Sequence, residues 1–241
     1  ASITADSADK DYRNGANTFG WIVEIDPFDS RSNPVKRTSL GRFAHEDCRS
    51  SRLIEGENLA FYMGDDSRGE YIYKFVSDAK WDAKDVNGGY RAGDKYMNSG
   101  KLYVAQFNND GTGKWIELAY GKNGLNDSNT VYPFKSQADV TTFARLAGDS
   151  VKATKMDRPE WVAVNPENGE VYVTLTNNSN RGTAHALDAA NPRNYSDPEG
   201  GKGNVNGHII RFHEKDNKTT AESFTWDIYL FGAEAKMASN I

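Results

Sequence analysis

The stretch MDRPEWVAV, residues 156 to 164, sets Asp157, Arg158 and Glu160 ahead of an apolar run. A proline disfavours helix at the residue before it and fixes its own φ. The stretch therefore reads as extended, with Arg158 and Glu160 on one side of the chain. A guanidinium beside a carboxylate has two readings. One is a local salt bridge at a strand entry; the other is a phosphate-binding arginine next to a metal-binding acid, since guanidinium forks match phosphate oxygens and hard cations prefer carboxylates. Spacing alone leaves both open.

Three further words carry charge in patterned places. GRFAHEDC (41 to 48) contains Arg42, His45, Glu46 and Asp47; neighbours in an extended chain face opposite ways, so the word can offer one ligand to a site but not build one. YMGDDSRGEYIY (62 to 73) puts Asp65, Asp66 and Arg68 in a turn before a strand. That is either a solvated acid pair or material for a calcium loop, though the EF-hand spacing fails for want of a glutamate twelve positions on. In NGHIIRF (206 to 212), following TLTNN (174 to 178), Arg211 sits in an apolar run, where its charge needs an anion, an acid or water. No Gly-x-Ser-x-Gly elbow, P-loop or HExxH helix occurs, which removes the serine-hydrolase and nucleotide-switch readings.

What must position these residues is β-structure. GWIVEIDP (20 to 27), EYIYKFVSD (70 to 78), GKLYVAQFNNDGTGKWIEL (100 to 118), EWVAVNPENGEVYVTLTNN (160 to 178) and GHIIRFHEKDNKTTAESFTWDIYLF (207 to 231) are rich in Val, Ile, Tyr, Phe and Trp. The last three break internally at Asn-Asp-Gly-Thr-Gly, Asn-Pro-Glu-Asn-Gly and a longer polar turn, so each predicts an antiparallel hairpin. Successive hairpins joined by polar linkers fit propeller blades, and a sandwich gives similar signals. One helix is predicted in SQADVTTFARLAG, with Ser136 and Asp139 as a capping box and Gly148 closing it. Residues 78 to 100 and 179 to 206 fit no element, and no linker divides two domains.

With 241 residues the chain can bury a real core. Its 12 Tyr, 11 Phe and 5 Trp separate it from a disordered acidic chain, in spite of a mean hydropathy of -0.74. A net charge of -5 with both signs mixed leaves no basic stripe for nucleic acid, and no apolar run is long enough for membrane insertion. The N-terminal stretch lacks the basic and apolar parts of a secretion signal, which neither shows nor excludes export. The single Cys48 forbids an internal disulfide and a multi-cysteine zinc site.

Taken in order, the words WIVEIDPFD, NPVKRTSLGRFAHE, YMGDDSRGEYIYKFVS, MDRPEWVAVNPENGEVYVTLTNN, ANPRN, NGHIIRF and FTWDIY closely resemble the PhoX-type alkaline phosphatases of bacteria. The resemblance implies an all-β chain, part of a six-bladed β-propeller with short helical insertions, and a site holding Ca2+ and Fe3+ that hydrolyses small phosphate monoesters. By motif, Glu46 matches an iron-binding glutamate, Glu160 a metal-bridging or calcium-binding glutamate, and Arg158 a phosphate-contacting arginine. Arg211 matches a second such arginine, and Asp66 and Asn178 lie in family words without an assigned role. Segments that supply further iron ligands in the family are absent, and Cys48 does not stand in for them. The expectation is a single domain over 1–241, an internal fragment of an incomplete propeller. It would meet either the missing part of the same propeller or itself through exposed blade edges. The family's location is periplasmic or secreted. The alternative is a propeller-derived binding module, or a calcium-stabilised structural one, without catalysis.

Overall fold

The computed structural model describes residues 13–195, 197 and 199–233. A two-strand ribbon, β1 (Val23–Glu24) with β2 (Val35–Lys36), precedes the first long run of antiparallel strands: β3 (His45–Ser50), β4 (Asn58–Asp65), β5 (Arg68–Glu70) and β6 (Ile72–Lys80). Helix α1 (Tyr90–Met97) leads to β7 (Gly100–Phe107) and β8 (Thr112–Glu117), and two short helices, α2 (Gln137–Thr142) and α3 (Ala144–Ser150), follow. The chain then forms β9 (Met156–Asp157), β10 (Pro159–Val164), β11 (Val171–Leu175), β12 (His208–Glu214) and β13 (Ser223–Phe231).

Nine of these strands make one antiparallel sheet in the order β10-β11-β12-β13-β8-β7-β6-β4-β3. It is two blades joined at their outer strands, where β13 pairs with β8 over three residues, Ser223 to Thr225 against Lys114 to Thr112. The sheet curls until its end strands β3 and β10 lie side by side, giving a nearly closed, propeller-like arrangement. The all-β expectation holds, and so do the three hairpins, β7/β8, β10/β11 and β12/β13. The blade edges expected to stand open are instead turned toward each other. What remains open is a face of the second blade, where Trp161, Tyr229 and Leu230 are exposed.

The period-2 alternation of the strands explains the two cores. On β6 and β7, Ile72, Val76, Tyr103, Ala105 and Phe107 point toward the second blade and meet Val162, Val173, Ile210 and Phe212. The opposite face, with Tyr73, Phe75, Leu102 and Val104, is covered by the helical insertion through Val140, Ala144 and Ala147. Each fully buried Val, Leu, Ile or Phe among them contributes about 1.5–3 kcal/mol relative to exposure. The first blade is thus held from both sides, while the second is held from one.

The predicted helix is two helices. Ser136 caps the first by accepting from Asp139 N, but Phe143 leaves helical geometry and restarts the chain as α3, which runs past Gly148 to Ser150. Gly148 is there for space: a Cβ would lie 2.6 Å from the Tyr71 ring. The unassigned stretch 78 to 100 contains α1, and 179 to 206 is held by isolated bridges, Asn178 to Asn204 among them.

Candidate active site

The site is built where the two blades' end strands meet. β3 carries Glu46 at a bulge: His45 pairs with Asp65 and Asp47 with Gly64, so Glu46 has no opposite number. β10 is irregular in the same way, since Pro159 pairs with Leu175 but Val162 with Val173, which turns Glu160 out of the ladder. Bulges re-aim side chains that a regular strand would send to alternate faces. Both glutamates are re-aimed at one junction.

Arg158 joins them by an unexpected backbone. The residue before Pro159 reads as extended, yet Arg158 stands at φ 56°, in the left-handed region. The cause is a change of sheet: β9 pairs with β5, β10 pairs with β11, and the chain must turn between them at Arg158. Asp157, just before the turn, is fully buried and accepts from Asn178 Nδ2 at 2.7 Å, Arg181 Nε at 2.8 Å and Asn204 Nδ2 at 2.9 Å. These bonds hold the turn in place.

From there the Arg158 guanidinium makes a fork to Asp66, Nε to Oδ1 and Nη2 to Oδ2 at 2.9 Å each, across 92 residues of chain. Nη2 also lies 3.5 Å from Glu160 Oε1. The bonds to Asp66 raise the Arg158 pKa above its ordinary value, with Glu160 and Glu46 adding to that. One guanidinium thus feels three carboxylates, two of them, Asp66 and Glu160, within ion-pair distance. Among the described residues nothing bonds Nη1, so one arm of the fork is held and the other is open. The salt-bridge reading of the Arg158–Glu160 pair is what the geometry displays, and the pair sits beside Asp66.

The other sequence candidates fall elsewhere. Arg211 is not with them, since β12 pairs it with Tyr172 and Asp227. It lies three residues along the strands and two strands across from β10's start, about 10 Å each way. The acid it needed is Asp227, held by a fork at 2.6 and 3.0 Å on the outer face. Asn178 is buried behind Arg158 as a partner of Asp157. Asp65 and Asp66 part company: Asp65 is buried and forked by Arg145 at 2.5 and 2.8 Å, while Asp66 faces the cluster. Spacing gives no sign of these roles for Arg145, Arg181 and Asp157, because the partners lie 21 to 80 residues away.

As donors for a metal, Glu46, Asp66 and Glu160 offer hard carboxylate oxygens, of the kind hard cations prefer. Among the described residues no group of three or more His, Cys, Asp or Glu is gathered closely enough to hold an ion unaided. A cation at this junction would need further donors from outside this group. Cys48 is not one of them: burial, with Asp47 next to it, pushes its thiol up to about 12, so it stays protonated rather than acting as a thiolate ligand. His45 bonds the Gly41 carbonyl and is kept neutral by burial, which lowers it to about 4.

Paired antiparallel blades with acids and a guanidinium at the junction of their end strands place the chain in the class of propeller-type proteins with a polar inter-blade site. The family model described as alkaline phosphatase PhoX matches residues 4–240, and the chain belongs to that family. Among solved structures it is similar to Pseudomonas fluorescens PhoX in complex with vanadate, a transition state analogue. The two share 42% sequence identity with a TM-score of 0.78, over 92% of this chain and 38% of that one. The chain therefore spans well under half of that relative's length. No curated protein matches it. The family is metal-dependent.

Proposed function

We propose that this chain carries part of a metal-dependent phosphomonoesterase site, in which Arg158 contacts the phosphate and Glu46 and Glu160 bind the cation. The observation that carries the reading is the convergence of Glu46, Asp66, Arg158 and Glu160 from three separate parts of the chain, with both glutamates lifted out of their ladders by bulges. An acidic cluster repels a phosphate dianion until cations are present, which agrees with a metal-dependent family. Ca2+ and Fe3+ are the ions the family resemblance implies.

When bound, such cations would polarise the phosphoryl oxygens. The chain's own contribution is orientation. Asp66 fixes the plane of the Arg158 guanidinium, so that its open arm meets an equatorial oxygen without reorganisation, where charge spreads in the transition state. Glu46 and Glu160 supply carboxylate oxygens from the two facing blades. Arg211 is held by Asp227 and stays outside this proposal. Substrates are small phosphate monoesters, nucleic acid being disfavoured by the negative net charge. In the whole protein the two blades would form part of a larger propeller, exported to the periplasm or beyond. Among the described residues no helix is long and apolar enough to cross a membrane.

The test is hydrolysis of p-nitrophenyl phosphate by the chain supplied with Ca2+ and Fe3+. Turnover that a chelator abolishes and that Arg158→Gly removes supports the reading. Ordered metal binding with no turnover under any loading would favour a binding or structural module instead.

A further inference from the structure

The end strands β3 and β10 lie side by side without a backbone ladder between them. What joins them is a side chain. Asp47 Oδ2 accepts from Val162 N at 3.0 Å, across 115 residues of chain, and so takes the place of a strand partner. Its other oxygen, Oδ1, accepts from Cys48 N at 2.7 Å, which fixes the carboxylate plane. Arg49 Nε reaches the Val162 carbonyl at 3.4 Å, so the same peptide position is held from both its donor and its acceptor side.

Both ends of this stitch are next to the site. Asp47 follows Glu46, and Val162 comes two residues after Glu160. The strands can approach only because Gly64, the ladder partner of Asp47, has no side chain: a Cβ there would sit 2.6 Å from the Glu160 carbonyl oxygen and 2.8 Å from that of Pro159. Gly64 does not stand at positive φ, so space and not conformation demands a glycine. A carboxylate that pulls β10 in and a glycine that lets it come act at the same step of the sheet.

We infer that Asp47, with Gly64, is the positioning device that sets the separation of Glu46 from Glu160 and Arg158. The inference rests on the functional reading above. Partners that orient metal ligands without touching the ion typically change metal affinity 10- to 100-fold when removed. The geometry also explains why position 47 carries a short acceptor rather than another strand former: an edge amide of β10 needs an acceptor, and a side chain reaching across keeps the blades distinct where a ladder would merge them.

The test uses the 241-residue chain with Asp47→Ala, Asp47→Asn and Gly64→Ala. Its readouts are amide exchange at Val162 by NMR, Ca2+ affinity by calorimetry, and urea unfolding to confirm that each variant is folded. Asp47→Ala is expected to remove the exchange protection of Val162 and weaken Ca2+ binding about 10-fold or more. Asp47→Asn keeps an acceptor oxygen and is expected to stay within about threefold of the parent. Gly64→Ala, which leaves the Asp47 carboxylate in place, is expected to weaken Ca2+ binding as Asp47→Ala does. Folded Asp47→Ala with parent-like Ca2+ affinity would overturn the inference, as would an Asn variant as weak as the Ala variant. If the parent itself binds no Ca2+, the functional reading fails. The positioning claim is then decided by Val162, protection kept in Asp47→Ala counting against it and protection lost counting for it.

Discussion

Lys74 Nζ and Glu214 Oε1 lie 2.9 Å apart in the apolar space between the two blades, 140 residues apart in sequence. The lysine also donates to the carbonyls of Thr219 and Ala221, and the glutamate accepts from Tyr62 and Trp115. Burial lowers the Lys74 pKa and raises that of Glu214, so for each partner the loss of water outweighs the attraction of the other. Such a pair adds little net stability compared with an apolar filling, but breaking it leaves an uncompensated charge. Its evident service is geometric, since it specifies how β6 of one blade meets β12 of the other.

Lys74→Met should therefore cost about 3–5 kcal/mol, because Glu214 stays buried without its cation. Lys74→Met combined with Glu214→Gln keeps an acceptor for Tyr62 and Trp115 and should recover at least half of that loss. Urea unfolding of the single and double variants checks this; equal losses would show that the pair contributes by packing alone.

The same lysine makes stability depend on pH. Its folded-state pKa is lowered from 10.5 to about 8, chiefly by burial. Between those values the unfolded chain holds a proton that the folded chain lacks, so this contribution to stability rises with pH, by at most about 1.4 kcal/mol per unit. From pH 8 to 10 the parent should gain on Lys74→Met in unfolding free energy. Parallel curves for the two proteins would contradict the assignment.

Asp157→Ala removes the carboxylate of Arg181, which is 1% exposed, and unties Asn178 and Asn204. The expected cost is about 3–5 kcal/mol. Segment 179–206 should also become sensitive to protease under native conditions, because those three residues anchor it. Limited proteolysis followed by mass spectrometry reads this directly, and Asp157→Asn should be milder.

At the site itself, Arg158→Lys loses the fork to Asp66 and should weaken orthovanadate binding in the metal-loaded chain about 10- to 100-fold, the equivalent of one charge-assisted pair. Asp66→Asn keeps the arginine but loosens its orientation, and should fall between the parent and the lysine variant. Equilibrium titration ranks the three.

Much of the fold was legible because its signals are local. The turns at Asn-Pro-Glu-Asn-Gly and Asn-Asp-Gly-Thr-Gly declared two hairpins, and alternation declared the strands around them. Glycines at 88, 89 and 93 mask the period of helix α1, and Phe143 gives no sign that it breaks a helix. The candidate site was legible in part. Arg158 and Glu160 are neighbours in sequence, and Glu46 and Asp66 lie in the motifs that carry the resemblance. The supports of the site were not, because Asp47, Arg145, Arg181 and Lys74 act on groups that only the closed sheet brings near. Arg211 shows the converse: its apolar neighbours correctly demanded a partner for its charge, but alternation cannot tell whether that partner is a ligand or Asp227.

The left-handed backbone at Arg158 narrows what protein engineering can place there. Valine, isoleucine and threonine are excluded by their branched Cβ before any chemistry is considered, and alanine combines loss of charge with a strained main chain. Glycine, which has no Cβ, deletes the guanidinium while relaxing the turn. Arg158→Gly is thus the substitution in which a drop in activity cannot be blamed on a distorted loop, and a library at this position is best read against it as the zero point.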